Sequence, residues 1–382
     1  MKSVSLYIHI PFCVSKCYYC DFSSFANMED KIEDYMNSLV IELDLYKEKL
    51  EDYNIKTIFI GGGTPTSIDP KHIAKLLAFI TNNFNLKDNI EISIEGNPGT
   101  LNREKVQIYK KAGINRFSLG LQSLNDDLLK SIGRSHNVED FYNSYNLLKH
   151  MGINNINVDL MFGLPNQSLE DVVSTLDKVL KLGVEHISYY GLILEEETYL
   201  YDIYHKGLVS LPSEDEEREM YHTGRKILEE NGYIHYEISN FALPGYECKH
   251  NLVYWDLMPY IGIGLSSHSS FKGKRFWNTK NMSLYIEKLG KKEFPITGEE
   301  IINRATEISE FCILGIRKIK GIDKLEFNKR FNTKIETLYG DIINKHEENG
   351  LINNQETFIS LTNKGLDLSN IVEVDFLIYN SK

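Results

Sequence analysis

Short β-rich runs alternate with helical patterns through the first two-thirds of the chain, and this alternation restricts the fold more than any other feature. In SVSLYIHI, Val4, Leu6, Ile8 and Ile10 fall on one side of an extended chain and Ser5, Tyr7 and His9 on the other, the period of a strand. Ile32, Tyr35, Met36, Leu39, Leu43, Tyr46 and Leu50 follow at helical spacing. TIFIGGG, IEISIEGNP, RFSLGLQS, INVDLMFGLP and HISYYGLIL continue as strands, each followed by a helical segment. Six β-α units of this kind imply a parallel sheet, because parallel neighbours need a crossover between them. The expected fold class is therefore α/β. Polar residues and glycines gather at the C-terminal ends of these strands, at Gly61 to Thr64, Glu95, Gln122 and Asp159. A β/α barrel and an open doubly wound sheet both bind ligands at that edge, and periodicity does not separate them.

The pattern changes after Ser213. SEDEEREMYHTGRKILEENGY reads as a helix with a capping box of Ser213 and Glu216 and a solvated acidic first turn. YIHYEISNFA reads as one further strand. From about Ala305, short helices and the β-like TFISLTNKGLDL suggest a small winged-helix-like α+β domain with a structural or lid role. The expected divisions are 1–235 for the β/α part, 236–300 for a linking segment and 301–382 for the small domain.

Of 382 residues, 42% are hydrophobic and 25% charged, the composition of a folded domain rather than a disordered chain. The net charge of −12 argues against a nucleic-acid partner, which requires a basic face. No apolar run approaches the roughly 20 residues of a membrane helix, and MKSVSLYIHIPF lacks the apolar core of a secretory leader. Five cysteines at irregular spacing suit a reducing compartment better than a disulfide framework. The expectation is a cytoplasmic protein without a membrane anchor.

Three of those cysteines, Cys13, Cys17 and Cys20, stand in PFCVSKCYYCDFSSF at C-x3-C-x2-C spacing. Structural zinc wants four ligands, usually in two pairs, and His9, which could supply a fourth, lies four residues before Cys13 on a strand. A redox dithiol needs two cysteines. An iron–sulfur cubane, with four coordination sites, fits three thiolates and one site left for a ligand that is not protein. GGGTPT, from Gly61 to Thr66, lacks the lysine of a phosphate loop. Asp159 lies in an apolar strand and needs a partner if buried. Glu95, Gln122 and Arg134 read equally well as ligand contacts or as ordinary polar residues.

The spacing, with Tyr19 before the third cysteine, resembles the signature of radical S-adenosylmethionine (SAM) proteins. YIHIPFC, GGGTPT, IEGNPGT, SLGLQS, GRSH and DLMFGLPNQS together resemble the oxygen-independent coproporphyrinogen III oxidases and their relatives. That resemblance implies an incomplete (β/α)6 barrel and a [4Fe–4S] cluster on Cys13, Cys17 and Cys20. It implies SAM contacts from Tyr7, Tyr19, Gly62, Gly63, Thr64, Glu95, Gln122, Arg134 and Asp159. The decarboxylating oxidases carry a further cysteine two positions after the third ligand, where this chain has Phe22. HNLVYW, from His250 to Trp255, resembles the HNxxYW motif of the HemW heme chaperones, a branch of the same family. The usual Gly-Ala pair of the stretch after it is Ser266 and Ser267 here. This branch implies heme as ligand, apo-heme acceptors of the respiratory chain or a heme store as partners, transient membrane contact through a partner, and no oxidase activity, with a homodimer left open. The candidate heme residues are His250 as iron ligand, Asn251 as orienter, and Tyr254 and Trp255 as stacking walls. Cys248 is an alternative ligand, and the ligating atom stays open.

Overall fold

The computed structural model describes residues 2–377. Strand β1 (Lys2–Ile10) runs into the cysteine loop, which a short parallel pair, β2 (Phe12–Cys13) and β3 (Phe25–Ala26), pins at its base. Then come β4 (Tyr53–Gly62), β5 (Asn85–Gly96), β6 (Arg116–Gln122), β7 (Ile156–Phe162) and β8 (His186–Gly191). These strands and β1 lie side by side in chain order, all parallel. A doubly wound sheet reverses its order at a switch point, and this one does not. The alternative left open by periodicity is thus resolved as an incomplete β/α barrel.

The barrel stays open because its two edge strands pair elsewhere. β8 takes the antiparallel hairpin of β9 (Ile234–Glu237) and β10 (Asn240–Ala242). β1 takes β11 (Tyr260–Ile263) in parallel, followed by the antiparallel β12 (His268–Phe271), β13 (Lys274–Asn278) and β14 (Ile296–Ile301). The stretch YIHYEISNFA, expected as one strand, is this β9–β10 hairpin. Its turn is held by the Glu237 carboxylate, which accepts from the Ser239 N–H at 3.4 Å and from the Asn240 amide. Residues 236–300 therefore extend both edges of the main sheet.

Strand alternation explains the two faces of the barrel wall. Val4, Leu6, Ile8 and Ile10 are at most 1% exposed and share a core with Leu39 and Leu43 of helix Ile32–Leu50. Each such side chain contributes about 1.5–3 kcal/mol by leaving water. The alternate positions line the barrel interior, and apart from Phe59 and Met161 they are mostly polar. Register sets Ser93 beside Arg116, Ser118 beside Asn157, Asn157 beside His186 and Asp159 beside Ser188. The expected capping box of Ser213 and Glu216 opens helix Glu214–Glu230.

The C-terminal part has a separate core, including Ile308, Phe311, Phe327, Phe331 and Ile359. Helices Arg304–Ile316, Lys324–Phe331 and Ile335–Glu348 are combined there with a small sheet of β15 (Ile322–Asp323), β16 (Ile352–Asn354) and β17 (Phe358–Leu361). It meets the barrel where Lys318 pairs with Asp256 at 2.7 Å and Arg317 lies over the Trp255 ring at 5.1 Å. None of its residues lines the cavity described next. Among the described residues, no helix is long and apolar enough to cross a membrane.

Candidate functional site

The three thiols of the cysteine loop line one cavity of about 330 Å³ at the C-terminal ends of the barrel strands. Each sulfur has a hydrogen-bonding neighbour. Thr64 Oγ1 donates to Cys13 Sγ at 3.7 Å, Arg134 Nη1 to Cys17 Sγ at 3.4 Å, and Ser24 Oγ lies 3.9 Å from Cys20 Sγ. Burial pushes the Cys13 and Cys20 thiols up. They are therefore protonated until a metal displaces the proton. Among the described residues, no three His, Cys, Asp or Glu side chains converge on a single metal ion. A cubane differs from such a site in taking one thiolate per iron. Neither remaining cysteine faces the cavity: Cys248 is buried against Glu91 at 3.7 Å, and Cys312 is in the C-terminal core. Three thiols around a common space, with no fourth, fit a cluster that keeps one site for an exchangeable ligand.

The glycine run packs the adjoining wall. Gly62 has φ +113°, and a Cβ there would lie 2.4 Å from His9 Cε1. At Gly63 a Cβ would meet the Phe12 carbonyl oxygen at 2.8 Å and Cys13 Sγ at 3.0 Å. Glycine is required at Gly62 for the strand end to pack on the His9 ring and at Gly63 for it to touch the cysteine loop. The Gly62 N–H donates to Glu95 Oε2 at 3.0 Å. Burial, reinforced by Asp159, pushes the Glu95 carboxyl up to about 7. Asp159 is itself raised by burial, and it accepts from Asn157 Nδ2 at 2.7 Å. The buried aspartate thus has the partner its apolar strand requires.

Gln122 holds a left-handed backbone, φ +72°, which a non-glycine residue adopts at a cost of about 1–3 kcal/mol. Its Oε1 accepts from Tyr190 OH at 3.3 Å. The Arg134 guanidinium also donates to the Gly120 carbonyl at 2.5 Å and to Asn97 Oδ1. Tyr19, Gln122, Arg134 and Asp159 all line the cysteine cavity, as do Gly62, Gly63, Thr64 and Glu95. Tyr7 does not. Its hydroxyl bonds His9 Nδ1 at 3.0 Å, and its ring faces the neighbouring groove and the barrel interior. The cavity also includes Asn97, Ser118, Met161 and Tyr190, which sequence reasoning did not single out. Their signal was present: all four stand in quoted strand-end stretches, Ser118 and Tyr190 in phase with the other inward positions.

HNLVYW forms most of the short helix Lys249–Trp255. The Glu91 carboxylate caps its start, accepting from the N–H groups of Lys249 and His250 at 3.1 and 3.0 Å. His250 is 1% exposed and both ring nitrogens are engaged. Thr57 Oγ1 donates to Ser5 Oγ at 2.8 Å and stands 2.8 Å from His250 Nδ1, which assigns the ring proton to Nδ1. Nε2 then accepts from Tyr254 OH at 2.9 Å. Burial, aided by Arg116, lowers the His250 pKa to about 3. Asn251 faces the barrel interior, whereas Trp255 packs on Arg317. Tyr254 and Trp255 consequently do not form two facing walls.

Residues 7–179 match the radical SAM superfamily model, and residues 302–368 match that of the HemN C-terminal domain. The heme chaperone HemW of Bacillus subtilis is 38% identical over 374 residues, covering 98% of this chain and 99% of its own. That of Lactococcus lactis is 39% identical over 377 residues, covering 99% and 98%.

This chain belongs to the HemW family.

The family reading drawn from the quoted motifs is thereby borne out. The fold of this HemW-family chain is also that of coproporphyrinogen III oxidase (HemN) from Escherichia coli, with TM-score 0.86 over 99% of this chain and 91% of that one. Their sequences are 22% identical, so this likeness speaks to architecture alone. The radical SAM superfamily, whose model matches residues 7–179, implies a [4Fe–4S] cluster and SAM.

Proposed function

We propose that this protein is a heme chaperone, which binds heme and transfers it to apo-acceptor proteins while carrying a SAM-coordinating [4Fe–4S] cluster. The observation that carries this reading is near-full-length identity of 38–39% to proteins named heme chaperone HemW. In this reading Cys13, Cys17 and Cys20 hold the cluster. Thr64, Ser24 and Arg134 stabilise the three thiolates by donating to sulfur, since hydrogen bonds to ionised groups are the stronger ones. When bound, the cluster would supply one-electron reduction to a SAM held at its remaining site.

The chain's own residues supply the rest of the SAM site. The Gly62–Thr64 backbone offers close approach and carbonyl acceptors for an ammonium. Glu95 offers a carboxylate to a ribose diol. Gln122 and Asp159 supply polar contacts from the same rim, and the buried Met161 with the half-buried Tyr19 and Tyr190 limit water there. At Phe22 the side chain is 62% exposed, at the position where the decarboxylating branch carries its additional cysteine. That position argues for the chaperone over the oxidase.

The test is made anaerobically on reconstituted protein. Stoichiometric heme binding, followed at the Soret band, with transfer to an apo-cytochrome and no decarboxylation of coproporphyrinogen III in the presence of SAM and reductant, is expected. Decarboxylated product without specific heme binding would replace this reading with the oxidase.

A further inference from the structure

Beside the cysteine cavity lies a second groove of about 360 Å³, within the range of about 300–1,000 Å³ typical of small-molecule sites. Phe22 lines both spaces and the barrel interior as well. Phe22, Tyr254 and Tyr260 line the groove beside the polar Asp21, Ser23, Ser266 and Ser267, the two tyrosines meeting edge to face with centroids 4.8 Å apart. At its mouth stands His268, at the start of β12.

His268 differs from His250 in exposure and in the freedom of its ring nitrogens. It is exposed, and neither ring nitrogen has a protein hydrogen-bond partner among the described residues. Its ring is seated on Trp277, with centroids 5.6 Å apart and planes 25° from parallel, which orients it without using a nitrogen. Partial burial, then Arg275 and Lys280, lower its pKa against the opposing Glu300. The neutral imidazole, the form that binds metals, is therefore the one present near neutral pH. Arg275 is already engaged by Glu300 and Glu310 at 2.5 and 2.6 Å. Lys280 is exposed in the same groove and has no ion pair among the described residues. Asp21, the groove's carboxylate, also lines the cysteine cavity and so lies on that side.

We propose that this groove is the heme-docking site, with His268 as the axial ligand to iron, the aromatic walls against the porphyrin face, and Lys280 paired to a propionate. The proposal rests on the chaperone reading and locates its ligand. An imidazole with a free nitrogen, aromatic side chains and an unpaired cation on one groove match the iron, the apolar ring and the carboxylates of an iron porphyrin dicarboxylate. The HNLVYW helix then serves heme through Tyr254, which joins the buried His250 to the groove wall.

Ferric heme is titrated into the full chain, following the Soret band and the electron paramagnetic resonance spectrum. His268→Ala is expected to bind about tenfold or more weakly and to lose the imidazole-ligated spectrum, and added imidazole is expected to restore that spectrum. Lys280→Glu should weaken binding with the spectrum unchanged. His250→Gln should lose stability yet keep the wild-type spectrum. Wild-type binding that persists in His268→Ala but loses its spectrum in His250→Gln would overturn the ligand assignment and leave the chaperone reading standing. Absence of specific heme binding by the wild-type chain would overturn the chaperone reading and this site together.

Discussion

Arg134 Nη1 donates to Cys17 Sγ at 3.4 Å across 117 residues of sequence. The same guanidinium is anchored on the Gly120 carbonyl and Asn97 Oδ1, so it is oriented before any metal arrives. One residue thereby ties the cysteine loop to two barrel strand ends.

Arg134→Gln removes a charged donor from a proposed cluster ligand. Less iron should be retained per chain after anaerobic reconstitution. The remaining cluster should be harder to reduce, because hydrogen bonds to sulfur stabilise the reduced, more negative state. A redox titration followed by electron paramagnetic resonance measures this, and a potential equal to wild type would count against Cys17 as a ligand.

Gly62→Ala should destabilise by about 3 kcal/mol or more, combining a left-handed backbone with displacement of the buried His9 ring. Gly183→Ala provides the control. Its φ is +67°, but nothing lies within 4 Å of a Cβ there, so only the backbone cost of about 1–2 kcal/mol applies. Urea denaturation at unchanged slope distinguishes the two, and equal losses would mean the His9 contact yields freely.

Glu95 gives the apoprotein a pH signature. Its carboxyl is raised from 4.5 to about 7 by burial and Asp159. Between those values the folded chain keeps a proton that the unfolded chain has released, so this group's contribution to stability falls as pH rises through the window. The full cost, about 3 kcal/mol, is reached above the folded value. Glu95→Gln, which keeps an acceptor for the Gly62 N–H, should melt higher than wild type at about pH 8 and alike near pH 4.5. A difference independent of pH would show that Glu95 stays ionised when buried.

Glu91→Ala should cost about 2–4 kcal/mol, because it strands two helix N–H groups and takes a carboxylate from the buried Arg116. Glu91→Gln, retaining one acceptor oxygen, should cost less. Calorimetric melting of the two variants checks the order, and equal stability would deny Glu91 its capping role.

Much of this protein was legible in one dimension because the interactions responsible are local. Apolar periodicity placed the six barrel strands and helix Ile32–Leu50, and the capping box at Ser213 and Glu216 lies within four residues. The three thiols sit within eight residues, so one loop brings them to one cavity. The Ser266–Ser267 departure is only half local: Ser266 is left-handed at φ +56°, where glycine is free of strain, but its hydroxyl accepts at 2.7 Å from Ser23, 243 residues away in the chain.

Non-local packing supplied the rest. The chain-order sheet and its unclosed edges depend on which strands pair, and pairing with β10 and β11 joins segments far apart in sequence. The polar barrel interior arises from register, which aligns Ser118, Asn157 and His186 only after three strands have met. Two histidines in adjacent motifs have opposite fates for the same reason. His250 is closed in by Thr57, Phe59 and Tyr254, whereas His268 stays at the surface on Trp277. A residue's type states what chemistry it can do, but exposure and free valence depend on the elements packed over it, and those are assembled from the whole chain.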